Sequence, residues 1–308
     1  MHYLSAIHPT EDKGSLVWIL QVRVERDLAS RSLTLSQELY ISDLVKRYGQ
    51  LIEGLTRQFD SPYDAAATFS LDQCPPLDSP AYLRMRAHHE DYMALVGAYL
   101  WLANVTRPDL TYIASQLARF VSNPGFVHYK AALRVLIYLR ASASRSLVLR
   151  PFDSRPLCAY LDADWATKFS VSGGLIALFA VPIHWWSRTQ RSISMSSTEA
   201  EYFAACAAAK EILFFRALLL DLGVTLQGPT RLATDNKGVV DLAFDPVAFK
   251  KTKHILRAAE FVRDLALRRV LELHWIPGHN HPADLLTKPF ALAQFRKLLL
   301  LLSDLPEF

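Results

Sequence analysis

The stretch Ala159-Tyr-Leu-Asp-Ala-Asp-Trp165 is a run of alternating apolar residues that ends in two acids. Side chains of a strand point to opposite faces with a period of two, so this run reads as a buried strand carrying a carboxylate to its own end. Three further acids follow in order. Glu201 lies in Ser196-Ser-Thr-Glu-Ala-Glu201, Asp235 in Ala233-Thr-Asp-Asn236, and Asp284 in Pro282-Ala-Asp-Leu-Leu-Thr-Lys288. The local patterns place the four on strand, helix, strand and helix.

Around that stretch the pattern beyond Arg150 predicts strands over 157–161, 174–180 and 182–187. A long alanine-rich helix then starts at Ser197-Thr198 and ends near Gly223, with Glu201 three residues after Thr198 in capping-box spacing. A strand over 230–234, helices over 237–244 and 252–268, a strand over 271–276 and a closing helix from Ala283 complete the segment. That alternation predicts an α/β (α+β) fold, a mixed sheet with helices on both faces.

Upstream, Val17 to Glu25 reads as one strand and Ser30 to Leu35 leads into a second. Residues 36–49 read as a helix capped by Ser36, with Leu39, Leu44 and Val45 near one face. Thr56 to Pro80 collects four prolines and reads as an extended connector. Helices over 91–104, 108–121 and 128–139 follow, the first apolar nearly all round. The division drawn from these patterns is 1–150, smaller and mainly helical, and 151–308. No catalytic constellation gathers in the first segment. His88-His89 are neighbours on a helix whose side chains do not converge.

The 308 residues are 51% hydrophobic and 21% charged, which allows a sizeable core and excludes a wholly disordered chain. A net charge of +4 suits nucleic acid without requiring it. Cys74, Cys158 and Cys206 are scattered and form no CxxC pair, so neither a zinc site nor a disulfide framework is expected, and a reducing intracellular compartment, cytoplasmic or nuclear, is. The first residues lack the features of a signal peptide, and no apolar run approaches the ~20 residues of a membrane span.

Four carboxylates converging from separate elements are what metal-dependent phosphodiester hydrolysis needs. Two hard divalent ions generate the nucleophile and neutralise the leaving oxygen, and such ions ask for oxygen ligands. Taken singly, each acid also reads as a helix cap or a solvated charge. The intervals between them decide, because each is long enough for one element and a return to the same sheet edge. Asp162, Glu201, Asp235 and Asp284 are therefore the candidate metal ligands, for two Mg²⁺ or Mn²⁺ ions. Pro277-Gly-His279 is a loop able to bring His279 beside them as a fifth catalytic candidate. Asp164 and Glu199 are read as structural and pointing elsewhere. Lys237, Lys251, Lys253, His254 and Arg257, with Lys250, form a basic run suited to phosphates.

These residues also carry a resemblance. Tyr160-Leu-Asp-Ala-Asp-Trp-Ala166, Ser194-Met-Ser-Ser-Thr-Glu-Ala-Glu-Tyr202, Thr234-Asp-Asn236, Lys251-Thr-Lys-His-Ile255 and Ala283-Asp-Leu-Leu-Thr-Lys-Pro289 resemble the ribonuclease H domain of copia-type retrotransposon polyproteins. Leu33 to Ile41, Val96 to Tyr112 and Arg119 to Pro124 are similar to the region joining the polymerase to that domain. The resemblance implies a ribonuclease H-like five-stranded sheet over 151–308, preceded by a polymerase thumb and connection remnant over 1–150. It implies hydrolysis of the RNA strand of RNA–DNA hybrids, the four acids as metal ligands, and a separate polymerase or integrase subunit as a partner. The family's Tyr-x-Asp-Asp polymerase turn is absent, so polymerisation is not expected. Residues 167–172 are shorter than the family's segment there, which shortens the first hairpin. The runner-up function is a catalytically silent or domesticated module that binds nucleic acid or a protein partner.

Overall fold

The computed structural model describes residues 14–150, 156–165, 169–244 and 253–308, with the side chains of all of these except 242–244 and 253–256. The chain opens with strands β1 (Trp18–Ile19), β2 (Val22–Asp27) and β3 (Ser32–Ser36). Val17 to Glu25 is a tight hairpin and not the single strand its composition predicts, because Leu20 and Gln21 adopt positive φ of 48° and 63° and reverse the chain. A two-residue turn with both φ positive matches the twist of paired strands.

Helix α1 (Glu38–Tyr48) follows, and Ser36 accepts the N–H of Glu38 at 3.3 Å. Its buried face carries Ile41 and Leu44, while Leu39 is exposed. Then come α2 (Pro80–Arg86), α3 (His89–Val105), α4 (Thr111–Ala118) and α5 (Phe126–Ala141), and β4 (Leu147–Leu149) pairs antiparallel with β3. Tyr92 and Tyr99 are fully buried in α3, their hydroxyls donating to the carbonyls of Leu117 and Ala132.

The second sheet is built from β5 (Cys158–Asp164), β6 (Val171–Leu178) and β7 (Val181–Thr189), then β8 (Thr230–Thr234) and β9 (Leu271–Trp275). Between them lie α6 (Ser197–Asp221), α7 (Lys237–Phe244) and α8 (Lys253–Leu267), and α9 (Leu292–Leu301) comes last. The strand order is β7-β6-β5-β8-β9. β5 to β7 form an antiparallel meander, and β8 and β9 add in parallel, each preceded by helix. This is the mixed five-stranded sheet with flanking helices that the sequence resemblance implies. The closing helix differs from expectation. Pro282–Leu286 forms a short 3-10 turn, and α9 begins only after Pro289 and Phe290.

Strand alternation divides the core. Leu157, Ala159, Leu161, Ala163, Ile176, Trp186, Leu232 and Leu273 face α6 and α8. Cys158, Tyr160, Leu175, Ala177, Trp185 and Ala233 face the other way, into one continuous core with α3, α4, α5 and α9. The helical segment before residue 150 thus packs on this face at β7, while the turn over Pro282–Leu286 covers β5 and β6. Trp185 seals this junction, donating its indole N–H to the Ala103 carbonyl at 2.6 Å.

Candidate active site

Tyr160 on β5 pairs with Ala233 on the parallel strand β8, and their pairing ends there. Two residues further on stand Asp162, still on β5, and Asp235, just past the end of β8. Equal offsets from a paired position, with a period of two, bring both carboxylates to the same face at the carboxyl end of the sheet. Glu201 reaches them from α6, and its Oε1 accepts the N–H of Ala163 at 3.2 Å, beyond the end of the ladder with β8. One oxygen from each of Asp162, Glu201 and Asp235 lies within 4.8 Å of the others.

Glu201 is free for this because the helix is capped elsewhere. Ser196, and not Ser197 or Thr198, is the cap residue and accepts the N–H of Glu199 at 3.2 Å. Glu199 Oε2 in turn accepts the N–H of Met195 at 2.6 Å. Ser196 thus caps the helix through Glu199 while Glu199 reaches back to Met195, and Glu201, two residues on, turns to the sheet.

The turn bearing Asp284 is pressed onto β6. Gly173 pairs with Asp162, and a Cβ there would sit 2.6 Å from Thr287 Cγ2 and 2.9 Å from Leu286 Cβ. Only glycine admits the turn this closely. Thr287 donates its hydroxyl to Asp162 Oδ2 in a short hydrogen bond. Lys288 Nζ stands 3.4 Å from that same oxygen and 3.3 Å from Asp284 Oδ2. Asp284 is buried in the cluster but is not one of the three acids that gather tightly.

Burial and the neighbouring charges of Asp162 and Asp235 push the Glu201 carboxyl well above the carboxylate range. Burial and Asp162 do the same to Asp284, against the pull of Lys288. Asp162 is lowered: burial raises it, but Lys288, His281 and Thr287 outweigh that. Glu201 Oε2 and Asp284 Oδ1 are buried with no hydrogen-bond partner among the described residues. Orphaned oxygens in a cluster of like charges fit a hard divalent cation, which would take up both the lone pairs and the repulsion.

His279 is exposed on the loop, where its carbonyl accepts from Lys297 Nζ at 2.9 Å. The loop itself touches the cluster at Gly278, where a Cβ would lie 2.8 Å from Asp235 Oδ2. The histidine nearest the acids is His281, fully buried and held below its ordinary value by burial against the opposing charges of Asp162 and Asp235. Sequence reading missed His281, Thr287 and Lys288. The signal available for the last two was their position three and four residues after Asp284.

Asp164 shares the face of Asp162, as period two requires. It lines a groove with Tyr112, Gln116 and Arg119 from the helical segment. Of the basic run, Lys237 is exposed with its ammonium 4.7 Å from the ring centroid of Trp275, whose indole donates to the Asp235 carbonyl. Arg257 is exposed on α8. Lys250 and Lys251 lie outside the described residues, as do the side chains of Lys253 and His254 and residues 166–168 of the shortened segment.

No family model matches the chain. It is 30% identical over 297 residues to the retrovirus-related Pol polyprotein from transposon RE1 of Arabidopsis thaliana, covering 95% of this chain and 19% of that protein. Against the Pol polyprotein from transposon RE2 of the same plant it is 31% identical over 297 residues, with the same coverage. The chain's relatives are copia-type Pol polyproteins of transposons.

The chain spans about a fifth of the length of these curated relatives. Among solved structures, LC11-RNase H1 in complex with RNA/DNA hybrid matches 42% of this chain and 93% of its own, at 18% identity and a TM-score of 0.35. A foamy viral protease-reverse transcriptase in complex with double-stranded DNA matches 65% of this chain and 33% of its own, at 14% identity and a TM-score of 0.38. Among the described residues no helix is long and apolar enough to cross a membrane.

Proposed function

We propose that this chain is a ribonuclease H that hydrolyses the RNA strand of RNA–DNA hybrids with two divalent ions, Mg²⁺ or Mn²⁺. The observation that carries the reading is the convergence of Asp162, Glu201 and Asp235 within 4.8 Å at the end of the central strands, with Asp284 beside them. Asp162, Glu201 and Asp235 would hold the ions, with Asp284 as the fourth acid. Bound there, the metal supplies an activated water and neutralises charge on the leaving oxygen.

The rest of the work falls to the chain. Burial keeps bulk water from screening the acids. Thr287 fixes the rotamer of Asp162, and the Ala163 N–H fixes that of Glu201. Lys237 and Arg257 stand outside the cluster, where they would meet phosphates and not bases, as a sequence-tolerant nuclease requires. His279, exposed on the loop that meets Asp235 through Gly278, would exchange a proton with product. Residues 14–150 supply no acids to the cluster and act as the support of one sheet face, the remnant of a polymerase thumb and connection region.

A labelled RNA–DNA hybrid in Mg²⁺, with single- and double-stranded controls, tests this. The full chain is expected to cut the RNA strand of the hybrid alone. Asp162→Asn and Asp235→Asn are expected to abolish cleavage while circular dichroism and melting stay those of a folded protein. Survival of cleavage in either variant would sink the site assignment. Hybrid binding without cleavage at any metal concentration would instead assign the chain to a non-catalytic binding role.

A further inference from the structure

Four acids surround the site, yet only three draw together. The fourth, Asp284, is held by Lys288, whose ammonium bridges Asp284 Oδ2 at 3.3 Å and Asp162 Oδ2 at 3.4 Å. This is not a surface ion pair. The Asp162 and Asp284 side chains are 3% and 9% exposed, and that of Lys288 is 30% exposed. The lysine stem passes over Phe290, its nitrogen 5.7 Å from the ring centroid. The neighbouring Thr287 is locked to the same Asp162 oxygen and to the Asp284 carbonyl, so the backbone that carries Lys288 is fixed in place.

We infer that Lys288 is a built-in cation occupying the place of the second divalent ion in the protein without nucleic acid. The inference rests on the metal-dependent nuclease reading and sharpens it. An ion shared between Asp162 and Asp284 would have to take the oxygens that Lys288 now touches. An ammonium and a hard dication compete for the same carboxylate oxygens, and the pair of oxygens that Lys288 now contacts cannot serve both at once. The triad of Asp162, Glu201 and Asp235 stays open to a first ion. A second enters only when Lys288 moves out, and the phosphate of an arriving strand is the group that could draw the ammonium away. Lys288 thereby acts through Asp162 and Asp284 as a positioning residue that couples loading of the second ion to the presence of substrate.

Titration calorimetry of the full chain with MgCl₂ and MnCl₂, without nucleic acid, reads this directly. The intact protein is expected to bind one ion per chain. Lys288→Met, which keeps the stem and removes the charge, is expected to bind two, and its hybrid cleavage to saturate at lower metal concentration. Lys288→Arg is expected to return to one. Two ions on the intact protein, or one ion on both it and Lys288→Met, would overturn the inference and leave the nuclease reading standing. No binding by any form would remove the metal reading and this inference with it. Should Lys288→Met fail to fold, Asp284→Asn decides. One ion bound as in the intact protein supports the lysine-held site, and loss of that ion's binding overturns it.

Discussion

At Asp162, a single carboxylate is asked to accept a threonine hydroxyl, face a lysine and keep an oxygen for metal, and its neighbours show how little freedom that leaves. Gly278 is the clearest case, since a methyl group there would meet Asp235 Oδ2 at 2.8 Å. Gly278→Ala is therefore expected to displace the Asp235 carboxylate by some tenths of an ångström. Catalysis is steep in such displacements, and a loss of up to about 100-fold in hybrid cleavage is expected with little change in melting temperature. Steady-state rates and a thermal melt of the same preparation check this, and unchanged cleavage would show that Asp235 has room to yield. At this scale the sequence carried the identity and order of Asp162, Glu201 and Asp235. It chose Glu201 over Glu199 for the site but gave Glu201 the capping role as well, because both fall in capping range of a serine or threonine and only the entry angle of α6 assigns the cap to Ser196 and Glu199.

At the scale of elements, α4 and α5 are tied by a buried network. Arg107, fully buried, makes two hydrogen bonds to Asp109, at 3.0 and 2.8 Å, and two to Ser142. Tyr138 donates to Asp109 at 2.6 Å, and Arg145 stands 3.2 Å from the same carboxylate. Burial alone would raise the Asp109 carboxyl, but Arg107, then Arg145 and Tyr138, hold it at about 2, below its ordinary 3.8. A depressed folded value stabilises the protein fully at pH above the unfolded value. That contribution, ~2 kcal/mol, is lost as pH falls from about 4 through about 2. Acid unfolding followed by circular dichroism should show Asp109→Asn already destabilised at pH 7, by about 3 kcal/mol for the uncompensated arginine, and with a flatter acid limb between pH 4 and 2. An acid limb identical to that of the unmodified chain would remove Asp109 from this role. The helices themselves were legible from periodicity. The network was not, because Arg107, Asp109, Tyr138 and Arg145 come together only when α5 folds back across the turn before α4.

For the whole molecule, one core joins the helices before residue 150 to the sheet after residue 157. Trp185 and the rest of the β7 face, which pack against α3 and α4, would be uncovered if residues 151–308 were expressed alone, at about 1.5–3 kcal/mol for each large side chain exposed. That fragment is expected to self-associate and to melt without a cooperative transition. Size-exclusion chromatography and calorimetry would show it, and a monomeric fragment with a sharp melt would mean that the sheet face tolerates water.

The sequence by itself determined the order of elements, the alternation that makes β5 and β8 two-faced, and the acids at their ends, since each of these is written in spacings of two, three or four residues. Two errors were also local. Positive φ at Leu20 and Gln21 turned an expected strand into a hairpin, and Pro289 stands between the acid-bearing turn and the closing helix. Only the tertiary structure decided which neighbour each acid meets. Lys288 against Asp162, Gly173 under Thr287 and His281 beside Asp235 are contacts between segments far apart in the chain or in adjoining turns. Their distances depend on how closely backbones approach, which no local pattern encodes.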